Sequence, residues 1–367
     1  MKLLIVARMP HYRRDGRWHA LGPYAREIDI WADLFPEVVI AGSVSDEPMP
    51  ADCVPFSRPN ISVVPVSDGT GRWAQLVRLP VMIAQLGRYL WRADAAHVRC
   101  PCDLGLLGVV LAPLFCRRRY AKYAAQWPGF PGEALAWRWQ RAILRSRWWN
   151  APVTVYGEWP NQPAHVVPFF TSVMTEEQVS RARVASAGKK LGKVPRVLFV
   201  GRLTKSKNVD VLLDALAGVT GVEAVIVGDG PERAALEEQA ERLKLGSRVR
   251  FVGGVAFEQV LDFYEQADVL VLASNSEGWP KALAEGMAFG LVCIGSDRGL
   301  IPTMLSGGRG LVVPPGDVPA LTAALQKIVA NRADSEAMGQ RAAAWSQQHS
   351  LEGLREALRK LLEERWA

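Results

Sequence analysis

The chain has 367 residues, 49% of them hydrophobic, which is long for one ordinary domain and enough to bury two sizeable cores. No run of about eighteen uncharged apolar residues marks a membrane-spanning helix, and five scattered cysteines do not form a disulfide framework. The formal charge of +7 is lopsided: residues 1–165 hold 20 Lys+Arg against 13 Asp+Glu, while residues 166–367 hold 24 of each.

Ten of the thirteen tryptophans also lie in residues 1–165. A basic, Trp-rich half implies an acidic partner: an anionic membrane surface, a phosphate-bearing acceptor or nucleic acid. The opening MKLLIVARMPHYRRDG has only a five-residue apolar run. It reads as a first strand rather than a signal peptide, so a cytoplasmic protein is expected.

In chain order, Leu3 to Ala7, Val38 to Ala41, Ile61 to Val66, His97-Val98 and Tyr120 to Ala125 read as strands. Tyr24–Phe35, Trp73–Trp91 and Leu104–Phe115 read as helices between them. The polar stretch from Val173 to Val194 has no strand signal and is taken as the connection to a second domain.

Alternation is clearer from there on. Arg196 to Val200, Val222 to Val227, Val249 to Val252, Asp268 to Ala273, Leu291 to Ile294 and Gly310 to Val313 are short apolar strands. Helical spacing fills the gaps, with Pro280 to Phe289 and Val318 to Ala330 among the helices. The tail, Asp334 to Trp366, is helical by pattern. Such alternation means a parallel sheet covered on both faces.

Ligands of doubly wound sheets bind beyond the carboxyl ends of the strands, beside helix N-termini. Three loops fall there. In Gly201-Arg-Leu-Thr-Lys-Ser-Lys207, a glycine turn is followed by two fixed cations, Arg202 and Lys207, ahead of a helix. A diphosphate needs such donors and positive charge, although a solvated basic turn would read the same way. Gly228-Asp-Gly230-Pro231 allows close backbone approach, or is an ordinary turn before a helix. The third loop, Ser274 to Met287, places Glu277 after a strand and Glu285 eight residues on, inside the next helix. Two carboxylates so placed can bracket one ligand and accept hydrogen bonds from vicinal hydroxyls. Each alone would also suit a helix N-terminus.

Taken together, VGRLTKSKNVDVLLDAL, VIVGDGPE, RVRFVGGV and ADVLVLASNSEGWPKALAEGMAFG resemble the retaining glycosyltransferases of the GT-B fold, family 4, in block order and spacing over about residues 195–330. The resemblance implies an α/β fold of two Rossmann-like domains facing across a cleft, with a C-terminal helix crossing back. The expected bounds are 1–170 for acceptor binding, 171–345 for nucleotide-sugar binding and 346–367 for the returning helix. It also implies transfer of a sugar (a hexosyltransferase) from a nucleotide diphosphate sugar to a glycan or lipid-linked acceptor, as in polysaccharide biosynthesis. Arg202 and Lys207 would bind the donor diphosphate, Glu277 would touch the transferred sugar and Glu285 the ribose. Gly201, Gly230, Val255, Gly278, Trp279, Pro280 and Lys281 would line the donor.

Two departures stand out. Trp279-Pro280-Lys281 replaces the family's usual aromatic-Gly pair, and Pro280 removes one backbone donor. The glycine-rich loop after the first strand is replaced by HYRRDGRWHALG, and Tyr120 to Trp127 lacks the histidine that many members carry.

No cofactor and no metal are expected. No Asp-x-Asp motif stands at a strand end, Cys100-Pro-Cys102 lacks a second pair, and the histidines do not cluster. The Arg/Trp-rich region 117–149 is expected to meet an anionic membrane surface at the inner face of the cell membrane; a basic helix with core tryptophans is the alternative. Nucleic acid is not expected as a partner, because no motif of that class is present. Two rival readings are a nucleotide-sugar epimerase of GT-B fold and a non-catalytic GT-B partner protein. The intact Arg202, Lys207, Glu277 and Glu285 argue against the second.

Overall fold

A computed structural model of the chain describes residues 1–50, 52–66, 72–130 and 132–366, leaving aside the side chains of 72–76. It divides into two compact units: Met1–Val173 with Leu351–Ala367, and Met174–Ser350.

The first unit contains β1 (Lys2–Arg14), β2 (Arg17–Leu21), α1 (Gly22–Leu34), β3 (Glu37–Val44), β4 (Cys53–Pro55), β5 (Ile61–Pro65), α2 (Arg72–Trp91), β6 (Ala95–Cys100), α3 (Asp103–Phe115), β7 (Arg118–Tyr123), α4 (Leu135–Arg145), β8 (Val153–Tyr156) and β9 (Val166–Phe169). Parallel pairing runs β5-β3-β1-β6-β7-β8-β9, and β2 and β4 extend the sheet antiparallel from the far half of β1.

The second unit contains α5 (Glu176–Ser186), β10 (Arg196–Val200), α6 (Val209–Ala217), β11 (Glu223–Val227), α7 (Arg233–Arg242), β12 (Val249–Gly253), α8 (Phe257–Gln266), β13 (Val269–Leu272), α9 (Lys281–Ala288), β14 (Val292–Ser296), α10 (Ile301–Leu305), β15 (Gly310–Val313), α11 (Val318–Ala330) and α12 (Arg332–Ser346). Its parallel sheet runs β12-β11-β10-β13-β14-β15. The helix α13 (Leu351–Trp366) then returns to the first unit.

Strand alternation sorts the core of the first unit. Leu4, Val6 and Val98 face α2 and α3, where Leu86, Leu90, Val109 and Ala112 are buried. Leu3, Ile5 and Ile40 face Ile28, Trp31 and Phe35 around α1. The apolar stripe of α13, Leu354, Leu358, Leu361 and Leu362, closes that second layer. Each such side chain contributes about 1.5–3 kcal/mol on burial.

Several elements differ from the sequence reading. HYRRDGRWHALG forms a hairpin, not a loop. β1 runs on to Arg14, and Asp15 (φ 49°) and Gly16 (φ 74°) make the tight turn into β2. Asp-Gly is favoured there because both turn positions need positive φ. The presumed connection Val173 to Val194 holds α5, which packs beside α8, α9 and α12 in the second unit. Thr175 and Gln178 close a reciprocal capping box at its start. The helical tail is two helices, α12 and α13, separated at residues 347–350.

Candidate active site

The strand order of the second unit reverses direction between β10 and β13, which makes that junction the topological switch point. The two strands share only two residue pairs, Val197 with Val269 and Leu198 with Leu270. Beyond them the ladder ends, and the loops after β10 and β13 border the opening.

The loop after β10 is fixed by its neighbour. Gly201 and Leu203 donate backbone hydrogen bonds to Val227 (3.0 Å) and Asp229 (2.9 Å). This clasp requires glycines: a Cβ on Gly228 would lie 1.9 Å from the Gly201 carbonyl, and one on Gly230 2.2 Å from that of Leu203. The Arg202 side chain projects from this clasp, exposed, and has no hydrogen-bond or ion-pair partner among the described residues.

A short turn, Lys205–Lys207, then leads into Asn208, which has positive φ (52°). The Asn208 amide donates to the Ala273 carbonyl (2.8 Å) and exchanges hydrogen bonds with the Asn275 amide (2.9 and 3.0 Å). Asn275 N–H donates to Ser206 (2.8 Å). These bonds tie the β10 loop to the β13 loop. The tie brings Lys207 Nζ to 2.5 Å from Glu277 Oε1, with the two side chains 24% and 11% exposed. One predicted cation and one predicted carboxylate therefore meet at the switch point.

Glu285 sits in α9, 7% exposed, and accepts a 2.7 Å hydrogen bond from Tyr264 of α8. Burial, and then the adjacent Glu285 charge, push the Tyr264 phenol well above its ordinary range, so it stays a donor. Trp279 is buried, stacked on Trp345 (6.2 Å) and edge-on to His349 (5.6 Å). Arg309 lies over the other ring of that stack, Trp345, at 5.2 Å. Pro280 precedes α9, so the first amides of that helix belong to Lys281 and Ala282. Gly278 and Lys281 are half-buried beside them. Val255 is half-buried in the loop after β12, two strands from the switch point.

Sequence reasoning missed several parts of this site. Asn208 and Asn275 are the pins, and Asn-before-helix was the available signal. Gly299 (φ 56°), after β14, runs against the Glu277 backbone, where a Cβ would lie 1.8 Å from its carbonyl. The Ser274 hydroxyl is buried without a hydrogen-bond partner among the described residues.

The first unit carries its own polar cluster toward the carboxyl ends of β6 and β7. Buried Glu27 of α1 bridges Arg99 (2.7 Å) and Lys122 (2.9 Å). Burial opposes ionisation of Glu27, but Arg99 and Lys122 hold its carboxyl far below the usual range. Burial, with Arg99 nearby, pushes the Lys122 ammonium down to about 8. His97, a strand residue, is buried between Trp31 and Tyr120 with neither ring nitrogen partnered among the described residues.

Region 117–149 divides into β7, a loop and α4; Pro131 lies outside the described residues. Trp127 and Trp149 are core, as the alternative reading has it, but Leu135, Trp139 (66%) and Trp148 are exposed beside Arg138, Arg145 and Arg147. Among the described residues no helix is long and apolar enough to cross a membrane.

Two α/β units with mainly parallel sheets, the second with its ionic groups gathered at a switch point, define a paired Rossmann-like architecture. The fold is that of the GT-B glycosyltransferases. Sucrose-phosphate synthase from Thermosynechococcus elongatus superposes with a TM-score of 0.76 at 21% identity, over 99% of this chain and 98% of that one. Anabaena HepE, solved in complex with UDP and glucose, superposes with a TM-score of 0.71 at 17% identity, over 99% of each chain.

Residues 182–345, most of the second unit, match the family described as glycosyl transferases group 1. The lipopolysaccharide core biosynthesis glycosyltransferase LpsE of Rhizobium meliloti is 31% identical over 168 residues, which cover 45% of this chain and 47% of that one. The match thus spans about half the length of that relative. Over this stretch, then, the chain is similar to glycosyl transferases group 1.

Proposed function

We propose that this chain is a glycosyltransferase that moves a sugar from a nucleotide diphosphate sugar to an acceptor. The observation that carries the reading is the Lys207–Glu277 contact at the β10/β13 switch point, with Glu285 in the following helix. Arg202, Lys207 and the first amides of α9 supply positive charge for a diphosphate, and the two glutamates supply acceptors for sugar and ribose hydroxyls. Gly201, Gly230, Val255, Gly278, Trp279 and Pro280 complete the donor surface in this reading, with Lys281 as an extra cation.

Transfer breaks the bond between the anomeric carbon and the diphosphate oxygen and forms one to an acceptor hydroxyl oxygen. Charge grows on the departing diphosphate, where Arg202 and Lys207 stabilise it in place of a metal. The acceptor attacks from the face the diphosphate leaves, which retains configuration, and its proton passes to the departing oxygen. This is the family 4 reaction. The acceptor is a cell-envelope or lipid-linked glycan, met at the inner face of the membrane through the exposed Trp139, Trp148 and arginines of region 117–149.

A thermal-unfolding panel of nucleotide diphosphate sugars tests the donor assignment. One donor at 100 times its dissociation constant should stabilise the protein by about 2.7 kcal/mol. Failure of every donor to raise the melting temperature, or an equal rise in Arg202→Ala, would sink it.

A further inference from the structure

We infer that the first unit carries a second anion site, at the amino-terminal edge of its sheet, shaped for a phosphate-bearing ligand. The inference stands apart from the proposed donor site and uses none of its residues, although Arg117, Arg118 and Arg119 belong to the region proposed to meet the membrane.

A cavity of about 570 Å³ opens where β6, β7 and β8 begin and α13 ends. Its lining includes Arg117, Arg118, Arg119 and Arg365 against one acidic residue, Asp94. Asp94 already accepts the Lys2 backbone N–H at 2.7 Å. Among the described residues none of the four guanidiniums has a carboxylate within ion-pair distance. The contrast lies within one helix: α13 pairs Arg355 with Asp33 and Arg359 with Glu356 and Glu363, yet leaves Arg365 unpaired by acid.

Two of these cations, Arg119 and Arg365, are also held in place. Arg119 donates to the carbonyls of Trp149 (2.8 Å), Cys116 and Arg117 and lies over the Trp149 ring at 5.7 Å. Arg365 donates to the Ala164 carbonyl (3.2 Å). Trp366 donates to the Arg119 carbonyl (3.1 Å) and sets its ring edge against Phe35, which fixes the last turn of α13 over the cavity. Arg119 is half-buried and Arg117, Arg118 and Arg365 are exposed around it; like charges gathered this way repel one another, and a bound anion relieves the repulsion. Guanidinium forks match phosphate oxygens bidentately, and four of them exceed what a single carboxylate would neutralise. The volume falls in the range of small-ligand sites, about 300–1,000 Å³. Catalytic ligands of α/β sheets bind at the carboxyl edge, so this site is separate from the donor's.

The test titrates inorganic pyrophosphate into the full chain by calorimetry, and floats the same protein with vesicles of phosphatidylglycerol or phosphatidylcholine. The Arg202→Ala/Lys207→Ala protein, which lacks the proposed donor cations, should still bind pyrophosphate saturably or bind phosphatidylglycerol vesicles. Arg117→Ala/Arg118→Ala should weaken that binding about tenfold or more, and Arg117→Lys/Arg118→Lys should restore part of it. Vesicle binding lost in the alanine variant identifies a lipid headgroup as the source; pyrophosphate binding without vesicle binding identifies a soluble one. Arg365→Ala, which changes the final helix instead, should reproduce the loss if the double variant does not fold. No binding of either probe to the Arg202→Ala/Lys207→Ala protein overturns the site, as does binding unchanged in a folded arginine variant.

Discussion

The two units share one parallel-sheet plan but place their charges differently. In the second, Lys207 and Glu277 sit half-buried in loops at the switch point and Arg202 is open to solvent. In the first, Glu27, Arg99 and Lys122 are locked beneath α1. Charge in a loop is available to a ligand, whereas charge between helix and sheet is committed to the fold. The same ionic chemistry is thus left accessible in one unit and committed to architecture in the other.

The largest effect that would sharpen this contrast is in the first unit. Glu27→Gln leaves Arg99 and Lys122 as adjacent buried cations and should destabilise the protein by about 3–5 kcal/mol, measured by urea unfolding. The pH dependence has a definite sign. The folded-state pKa of Glu27 is lowered, so its stabilisation is present above about 4.5 and is lost as pH falls. Wild-type stability should therefore fall more steeply in acid than that of Glu27→Gln; parallel acid limbs would contradict a structural role.

Next in size, Arg202→Ala should leave stability unchanged but lower sugar transfer about 10²–10³-fold, measured as turnover under saturating donor. Undiminished turnover would erase the functional side of the comparison. The smallest effect concerns the aromatic support of Trp279. Trp345→Leu should cost about 0.5–1.5 kcal/mol beyond lost area and raise the donor KM more than it lowers kcat. A pure stability loss with unchanged KM would make Trp345 simply a core residue.

Legibility in the sequence follows the same division. The second unit reads well because its strands are short apolar runs that end in Gly or Ser loops, and its cations and carboxylates sit at those ends. The contact between Lys207 and Glu277 was not readable, since it depends on the Asn208–Asn275 amide pair across two loops. In the first unit the outer half of β1 is polar, and its Asp15-Gly16 turn was the overlooked hairpin signal. β8 is four residues long, and β9 carries Pro168, tolerated because β9 is the sheet edge. The Glu27–Arg99–Lys122 cluster joins residues 72 and 95 positions apart and has no local pattern. α5 carried a readable Thr175-x-x-Gln178 box, but its low hydrophobicity masked it.

The return of α13 makes the first unit discontinuous in sequence. A ribosome delivers β1 to β9 early, while Ile28, Trp31 and Phe35 await Leu354, Leu358 and Leu361 of α13, translated only after the whole second unit. The nascent amino-terminal half must therefore keep a sticky apolar strip out of trouble until α13 emerges. Losing the final helix would strand that strip permanently, as an aggregation surface rather than as a clipped but working protein.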